Sequence, residues 1–341
     1  MLNRTQPIIV FRADGNQQKG LGHLFRTFSL IEMLKDDYRV ELATREDSNL
    51  SVIPKAYKVA LVPTDEEKEL DWIITRYCSK LTIIVLDGYS FGEDYVKRLK
   101  DKGFRVVFID DFAREHMYAD VVINHSLSVR EEDYEKEEYT KLALGTKYAM
   151  LRPLFLQEAK KEVLPATNKK VFVCFGGSDF EDITRRIVRL LLKIEEVEEI
   201  SVVLGSSYAF DFDVSSPKIK VYRSLSEKEM VNLMQQHDRM VVPSSTVLYE
   251  ALCFKKYILT GYYVDNQESI YIGFANEGVL IGVGKFQDNN DKELLQKLER
   301  LVFTKEQEML KRQKTLIDGE SERRIKKIVI NLADESTDIS R

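Results

Sequence analysis

The sequence predicts an α/β protein made of two parallel-sheet halves. Three observations carry that expectation. Short β-branched runs alternate with longer amphipathic stretches, the signature of βαβ units. The alternation pauses between Leu154 and Lys170 and then restarts. The length, 341 residues, is that of two ordinary domains rather than one.

In the first half, Ile8-Ile9-Val10-Phe11 reads as a strand, and a polar loop leads from it to His23. A helix is expected over about Leu24 to Leu34, where Phe25, Phe28, Ile31 and Leu34 recur at three-residue steps. Further strands are expected at Val40–Ala43, Ile83–Leu86, Val106–Ile109 and Val121–Ile123, with helices near 65–79 and 92–101. The charge run Arg130–Glu138 reads as a solvated helix face. The polar stretch Leu154–Lys170, with Pro165 and Asn168 inside it, reads as a linker. It divides a domain over residues 1–160 from one over 168–341.

In the second half, strands are expected at Val171–Phe175, Ile200–Leu204, Ile219–Tyr222, Met240–Val242 and Tyr257–Thr260. Helices are expected near 180–194, 227–236 and 247–254. Three charged helical stretches near 290–303, 305–316 and 320–331 close the chain, and the last of them can pack back on the first domain. Two such halves lead one to expect a cleft between them as the place for a ligand.

Composition narrows the function classes. Charged residues amount to 51 Lys+Arg against 56 Asp+Glu, so no basic face for nucleic acid is expected. A small anion remains compatible, because a helix N-terminus binds phosphate without net positive charge. Cys78, Cys174 and Cys253 are odd in number and far apart, which suits free thiols in a reducing compartment. The apolar run before Arg12 is too short for a signal-peptide core, and no run reaches the ~18 apolar residues of a membrane span. A soluble cytoplasmic protein is therefore expected. Its oligomeric state is not legible.

Four loops carry chemistry. The first, Arg12 to His23, leaves the first strand and opens the first helix. Gly20 and Gly22 permit tight turns there. Phe25 stands where a dinucleotide fingerprint needs its third glycine, so that motif is not met. His23, at the positive end of a helix, is a candidate general base, with a simple capping role as the alternative. Asp14 is the expected partner of His23, or else an Asx-turn residue. The second loop, Gly176-Gly177-Ser178-Asp179, suits a diphosphate, or is only a tight turn. Ser178 and Glu181 have capping-box spacing.

The third loop is Ser244-Ser245-Thr246, whose hydroxyls and amides can meet phosphate oxygens. Glu250 lies one turn further on and can accept ribose hydroxyls, or is a solvated carboxylate. In the fourth, Asn266 and Gln267 carry adjacent amides that can read sugar hydroxyl or acetamido groups, or mark a turn. Asp87, Asp110 and Asp111 also follow apolar strands. Neighbours on a strand point to opposite faces, so no metal site is expected from the last two. His116, His125 and His237 show no ligand spacing and read as surface or structural residues.

Taken together, these loops resemble the PseG family, UDP-2,4-diacetamido-2,4,6-trideoxy-β-L-altropyranose hydrolases, which are related in fold to MurG-like GT-B glycosyltransferases and to spore-coat polysaccharide proteins of the SpsG group. The resemblance runs in order through Phe11-Arg12-Ala13-Asp14, Gly20-Leu21-Gly22-His23-Leu24-Phe25-Arg26, Leu86-Asp87-Gly88-Tyr89 and Ile109-Asp110-Asp111. It continues through Ala119 to Asn124, Tyr148-Ala149-Met150-Leu151-Arg152, Phe175 to Asp179, Ser244-Ser245, Glu250-Ala251-Leu252 and Asn266-Gln267-Glu268-Ser269. Ile317-Asp318-Gly319, with Arg323 or Arg324, looks like the family's tail motif. Ser244-Ser245, where some members carry Gly, and Lys19, where an apolar residue is common, are departures that bear on sugar specificity.

The resemblance implies a GT-B fold of two Rossmann-like domains facing a cleft, with UDP on the second domain. It implies His23 as the catalytic histidine, Tyr89 and Asn266 near the sugar, Glu250 on the ribose, and Gly176 and Gly177 beside the nucleotide. Arg12, Asp14, Gly20, Gly22, Ser178, Ser244, Ser245, Thr246 and Gln267 complete the expected binding set. The implied reaction is metal-independent and cofactor-free hydrolysis of a UDP-sugar. One rival is a GT-B glycosyltransferase of surface or spore-coat polysaccharide assembly; the apolar and basic membrane-docking stretch common in such enzymes is not seen in this sequence. A sugar-nucleotide-binding partner without turnover is the other.

Overall fold

In the computed structural model, residues 7–16, 20–177, 179–205 and 207–334 are described. The chain divides into two compact units. The first runs to Pro153 and takes the chain back from Glu320; the second is Leu154–Gly319.

The first unit is built on a parallel sheet of β1 (Ile8–Ala13), β2 (Arg39–Arg45), β3 (Val59–Val62), β4 (Thr82–Asp87), β5 (Arg105–Ile109), β6 (Val121–Asn124) and β7 (Lys141–Leu144). Their order is β3-β2-β1-β4-β5-β6-β7. Helices α1 (Gly22–Leu34), α2 (Glu66–Arg76) and α3 (Glu93–Asp101) make the crossovers. Strand β4 is buried along its whole length, so it reads as a continuous apolar run ending in one carboxylate, Asp87. Val10, Ile84, Leu86 and Val106 meet Leu70 and Ile73 of α2 and Leu99 of α3 in one core.

The second unit holds α4 (Pro153–Lys160), β8 (Lys170–Cys174), α5 (Ile183–Leu191), β9 (Glu199–Leu204), β10 (Ile219–Arg223), α6 (Glu227–Gln235), β11 (Arg239–Pro243), α7 (Thr246–Leu252), β12 (Tyr257–Tyr262), α8 (Glu268–Ala275), β13 (Ile281–Lys285), α9 (Asp291–Phe303) and α10 (Gln307–Leu316). Its parallel strands run β10-β9-β8-β11-β12-β13. The core joins Val171, Val173, Val241 and Leu259 to Ile187 and Leu191 of α5 and Leu294 and Leu298 of α9.

The last helix, α11 (Ser321–Asp334), belongs to the first unit. It lies against α1, burying Ile325, Val329 and Leu332. Arg105 donates to the Leu332 carbonyl at 2.6 Å, and Lys326 pairs with Asp37 at 2.7 Å. Residues 130–138 do not form the expected helix: one 3-10 turn, Glu131–Asp133, is followed by a bridge from Met117 to Lys136. The stretch expected as a linker begins with helix α4. No disulfide joins the three cysteines, and Cys174 and Cys253 are buried.

Both sheets share one topology. The chain builds the first three strands outwards in one direction, then returns to lay the fourth beside the first. The loops leaving strands one and four therefore turn to opposite sides, opening a crevice at the carboxyl edge. In the first unit that point lies between β1 and β4, where Ala13 pairs with Asp87. In the second it lies between β8 and β11.

Candidate active site

His23 is the second residue of α1. Residue Leu21 before the helix offers no side-chain cap to the positive end of the helix. The imidazole Nδ1 lies 2.7 Å from Oδ1 of Asp87, and the His23 side chain keeps 11% exposure. This corrects the expected pairing with Asp14. The Asp14 carboxylate accepts hydrogen bonds from Arg12 at 2.6 and 2.8 Å, from the Arg45 amide at 2.9 Å, and from Thr44 and Ser48. It anchors its own loop.

Arg26 lies three residues after His23, one turn along the same helix face. It donates to both oxygens of Asp87, at 2.8 and 2.6 Å, and to both oxygens of Asp111, at 2.6 and 3.1 Å. Burial on its own raises the Asp87 carboxyl. The Arg26 charge and hydrogen bonds, helped by His23, outweigh burial and hold it well below the usual carboxylate range. Asp87 is therefore ionised at any working pH. An ionised Asp87 orients the Nδ1–H of a neutral His23 toward itself and leaves Nε2 as the acceptor.

Tyr89 packs edge-on against the His23 ring, centroids 4.5 Å apart, and Phe112 lies 5.2 Å from Tyr89. At 56% exposure Tyr89 is the open wall of the site. His125, at the end of β6, is buried rather than on the surface. Burial first, and the Arg26 charge second, push its imidazole down to about 4, so it is neutral beside the cluster. Asp110 and Asp111 diverge, as neighbours must. Asp110 turns to the Phe112 and Ala113 amides, Asn124 and Tyr134, while Asp111 turns to Arg26. Among the described residues no group of three or more His, Cys, Asp or Glu could hold a metal ion.

Arg12, expected in the binding set, has no exposed surface. It is clamped between Asp14 and Glu69 of α2, with its guanidinium over Phe91. In this structure it ties β1 to α2 and presents nothing to a ligand. Gly20 is exposed and bridges Asn16; Gly22 opens α1 with free space around it.

In the second unit, Gly176 and Gly177 follow β8, as expected, with Gly176 at φ +78°. A residue missed by sequence reasoning fixes them. A Cβ on Gly205, at the end of β9, would stand 2.2 Å from the carbonyl oxygens of both Gly176 and Gly177. The Ser207 amide donates to the Gly177 oxygen at 3.0 Å. With the peptide trans, the Gly177 N–H points away from that contact. A glycine directly after a strand, one strand over in the sheet, was the available signal.

The expected cap of α5 is corrected. Ser178 lies outside the described residues. The amides of Ile183 and Thr184 are capped by the carboxylate of Asp179, at 3.0 and 2.9 Å. Burial, outweighing these bonds, raises the Asp179 carboxyl. The positive end of α5 is thus occupied by an internal acid, and an anion here must use the loop amides instead.

Ser244 is fully buried, its hydroxyl 3.3 Å from that of Thr260, and so faces the strands rather than a ligand. Ser245 and Thr246 are half-buried at the start of α7, with Glu250 one turn on and buried. Asn266 is exposed, whereas Gln267 turns inward to accept the Tyr263 amide at 3.3 Å. The two amides therefore do not act as a pair.

No protein-family model matches the chain. It is 24% identical to the spore coat polysaccharide biosynthesis protein SpsG of Bacillus subtilis, over 95% of this chain and 98% of that protein. It is 26% identical to the UDP-2,4-diacetamido-2,4,6-trideoxy-beta-L-altropyranose hydrolase of Campylobacter jejuni, over 79% of this chain and 97% of that one. It is 26% identical over 72% of its length to the uncharacterized protein MJ1062 of Methanocaldococcus jannaschii, of which it spans only 53%. Among solved structures it is similar to Acinetobacter baumannii MurG, with TM-score 0.65 and 10% identity over 97% of this chain and 99% of that one. The calicheamicin glycosyltransferase CalG4 gives 0.66, also at 10% identity, over 95% and 97%. The resemblance read from the motifs is thus borne out: the chain has the fold of GT-B glycosyltransferases, and most of its sequence is similar to a spore coat polysaccharide protein and to a UDP-sugar hydrolase.

Proposed function

We propose that this protein is a nucleotide-sugar enzyme of polysaccharide biosynthesis, and specifically that it hydrolyses a UDP-linked 2,4-diacetamido-2,4,6-trideoxy sugar. The observation that carries the reading is the 2.7 Å contact of His23 with the buried Asp87. It leaves Nε2 as the base, at a half-buried position beside the exposed Tyr89 ring. In this reading Nε2 takes a proton from water, the water oxygen attacks C1, and the anomeric C–O bond breaks with inversion to release UDP. The imidazolium so formed faces the Asp87 carboxylate. The relative in Campylobacter jejuni, named for such a hydrolysis, supports the choice of reaction.

The second unit is assigned the nucleotide. Loop amides at Gly176–Gly177 and at Ser245–Thr246 suit the diphosphate, and Glu250 suits the ribose. Asn266 and Tyr89 are assigned to the sugar. The expected partners are the UDP-sugar and its products, without nucleic acid. No described helix is long and apolar enough to cross a membrane.

Purified protein given the UDP-sugar should release UDP and free sugar with no acceptor present, and His23→Ala should abolish release. Full hydrolysis by His23→Ala would remove the proposed base. The fold of the glycosyltransferase neighbours favours a second reading, in which His23 deprotonates an acceptor hydroxyl. UDP release that strictly requires an added acceptor selects that reading.

A further inference from the structure

Arg26 stands between two carboxylates and beside the histidine. Its Nη2 lies 2.6 Å from Asp87 Oδ1 and 3.3 Å from His23 Nδ1, while Nη1 reaches Asp111 at 2.6 Å. Hydrolysis needs only the His23–Asp87 pair, so the second acid and the guanidinium call for a separate account. A buried arginine beside a His–Asp pair opposes protonation of the imidazole and draws on the same Asp87 oxygen that the imidazole uses. Asp111 lies on the far side of that guanidinium and cancels its charge.

We propose that Arg26 and Asp111 are positioning residues that set the proton affinity of His23 by opposed charges. Arg26 fixes the Asp87 carboxylate in place, and Asp111 neutralises the excess positive charge this brings to the site. The cluster of Asp87, Asp111 and Arg26 then carries one net negative charge, which a proton arriving on His23 brings to zero. The inference rests on reading His23 as the base. Among the described residues, the other groups facing this cluster are the Tyr89 ring on His23 and His125 at the end of β6. His125 is neutral there and leaves the charge balance unchanged. Asp110 faces away, on the Phe112 and Ala113 amides and Tyr134.

The test is a double-mutant cycle read by titration of the His23 imidazole by NMR in the unliganded full chain, which has four histidines in all. Asp111→Asn should lower the His23 midpoint by about one to two pH units, and Arg26→Gln should raise it by a similar amount. The double variant should return to the parent value. The acid limb of kcat/KM should move with the midpoint in each case. Arg26→Lys, which keeps the charge and loses the fork, should titrate close to the parent. A merely structural role gives losses of activity without opposed shifts. Both single variants moving the same way, or Asp111→Asn leaving the midpoint in place, overturns the proposal. The NMR reading needs no turnover, so it stands apart from the question of hydrolysis: absent UDP release with opposed midpoints sinks the hydrolase reading alone.

Discussion

Replacing Asp87 by Asn keeps the side chain's shape and removes its charge. The parent carboxylate accepts from His23 Nδ1 at 2.7 Å and from Arg26 at 2.6 and 2.8 Å. An amide has one acceptor oxygen, and Arg26 has only N–H groups to offer, so the oxygen stays with Arg26 and the NH₂ turns to His23. That NH₂ donates to Nδ1, which moves the ring proton to Nε2 and removes the base from the water side. The imidazolium also loses its counter-charge. A wrong tautomer and a lost carboxylate together should lower kcat/KM by about 10²–10⁴-fold, or about 3–5 kcal/mol at ~1.4 kcal/mol per decade. Stability should fall less. Breaking one side of a buried pair costs about 3–5 kcal/mol, but Arg26 keeps Asp111, so ~1–3 kcal/mol is expected. The assay is UDP release across pH, with thermal unfolding as the control for folding. A folded Asp87→Asn protein whose kcat/KM stays within about threefold of the parent, with its acid limb unmoved, would refute the reasoning.

Three further outcomes are expected. His125 is buried with its imidazole pushed down from 6.5 to about 4, so the unfolded chain binds the proton first as pH falls. Its stabilising contribution is whole above 6.5 and is lost below it; between pH 7 and 5 this group alone should cost about 2 kcal/mol in denaturant unfolding, and His125→Gln should make that slope shallower by this amount. Gly205→Ala forces a Cβ onto two carbonyl oxygens at 2.2 Å, so the Gly176–Gly177 turn must move; calorimetry should show UDP binding weakened by about tenfold or more, whereas Gly22→Ala meets no atom within 4 Å. Asp179→Ala uncaps α5 and should cost about 1–2 kcal/mol, seen as a lower urea midpoint.

The sequence made β1, β4 and β8 legible because central parallel strands are buried on both faces and read as unbroken apolar runs. Strands β3, β7 and β13 escaped for the converse reason. Val59–Val62 and Lys141–Leu144 are four-residue edge strands with exposed positions, and Ile281–Lys285 is interrupted by Gly282 and Gly284. Helix α8 was hidden because Asp265-Asn266-Gln267 reads as a turn, and the Ile270-Tyr271-Ile272 run after it lacks a clear polar face. At the site, His23 was visible from its place after two glycines. Its partner was not, since Asp87 is 64 residues away and only the Ala13–Asp87 register of two parallel strands brings them together. Arg26 was in plain view at helical spacing from His23, but nothing in one dimension says that two acids from different strands converge on it. The Asp14 pairing failed because a nearer and stronger cation, Arg12, claims that carboxylate.

The return of the chain to the first unit at Glu320 has a consequence for biogenesis. The second unit is an insertion of about 165 residues between α11 and everything that α11 covers. At ~5–20 residues per second, a ribosome takes on the order of 10–30 seconds to make it. Throughout that interval the side of α1 against which α11 comes to lie has no helix upon it. The segment bearing His23 is thus made before the second unit and sealed only after it. Truncation before Ser321 should leave this seat uncovered even though the whole parallel sheet is present.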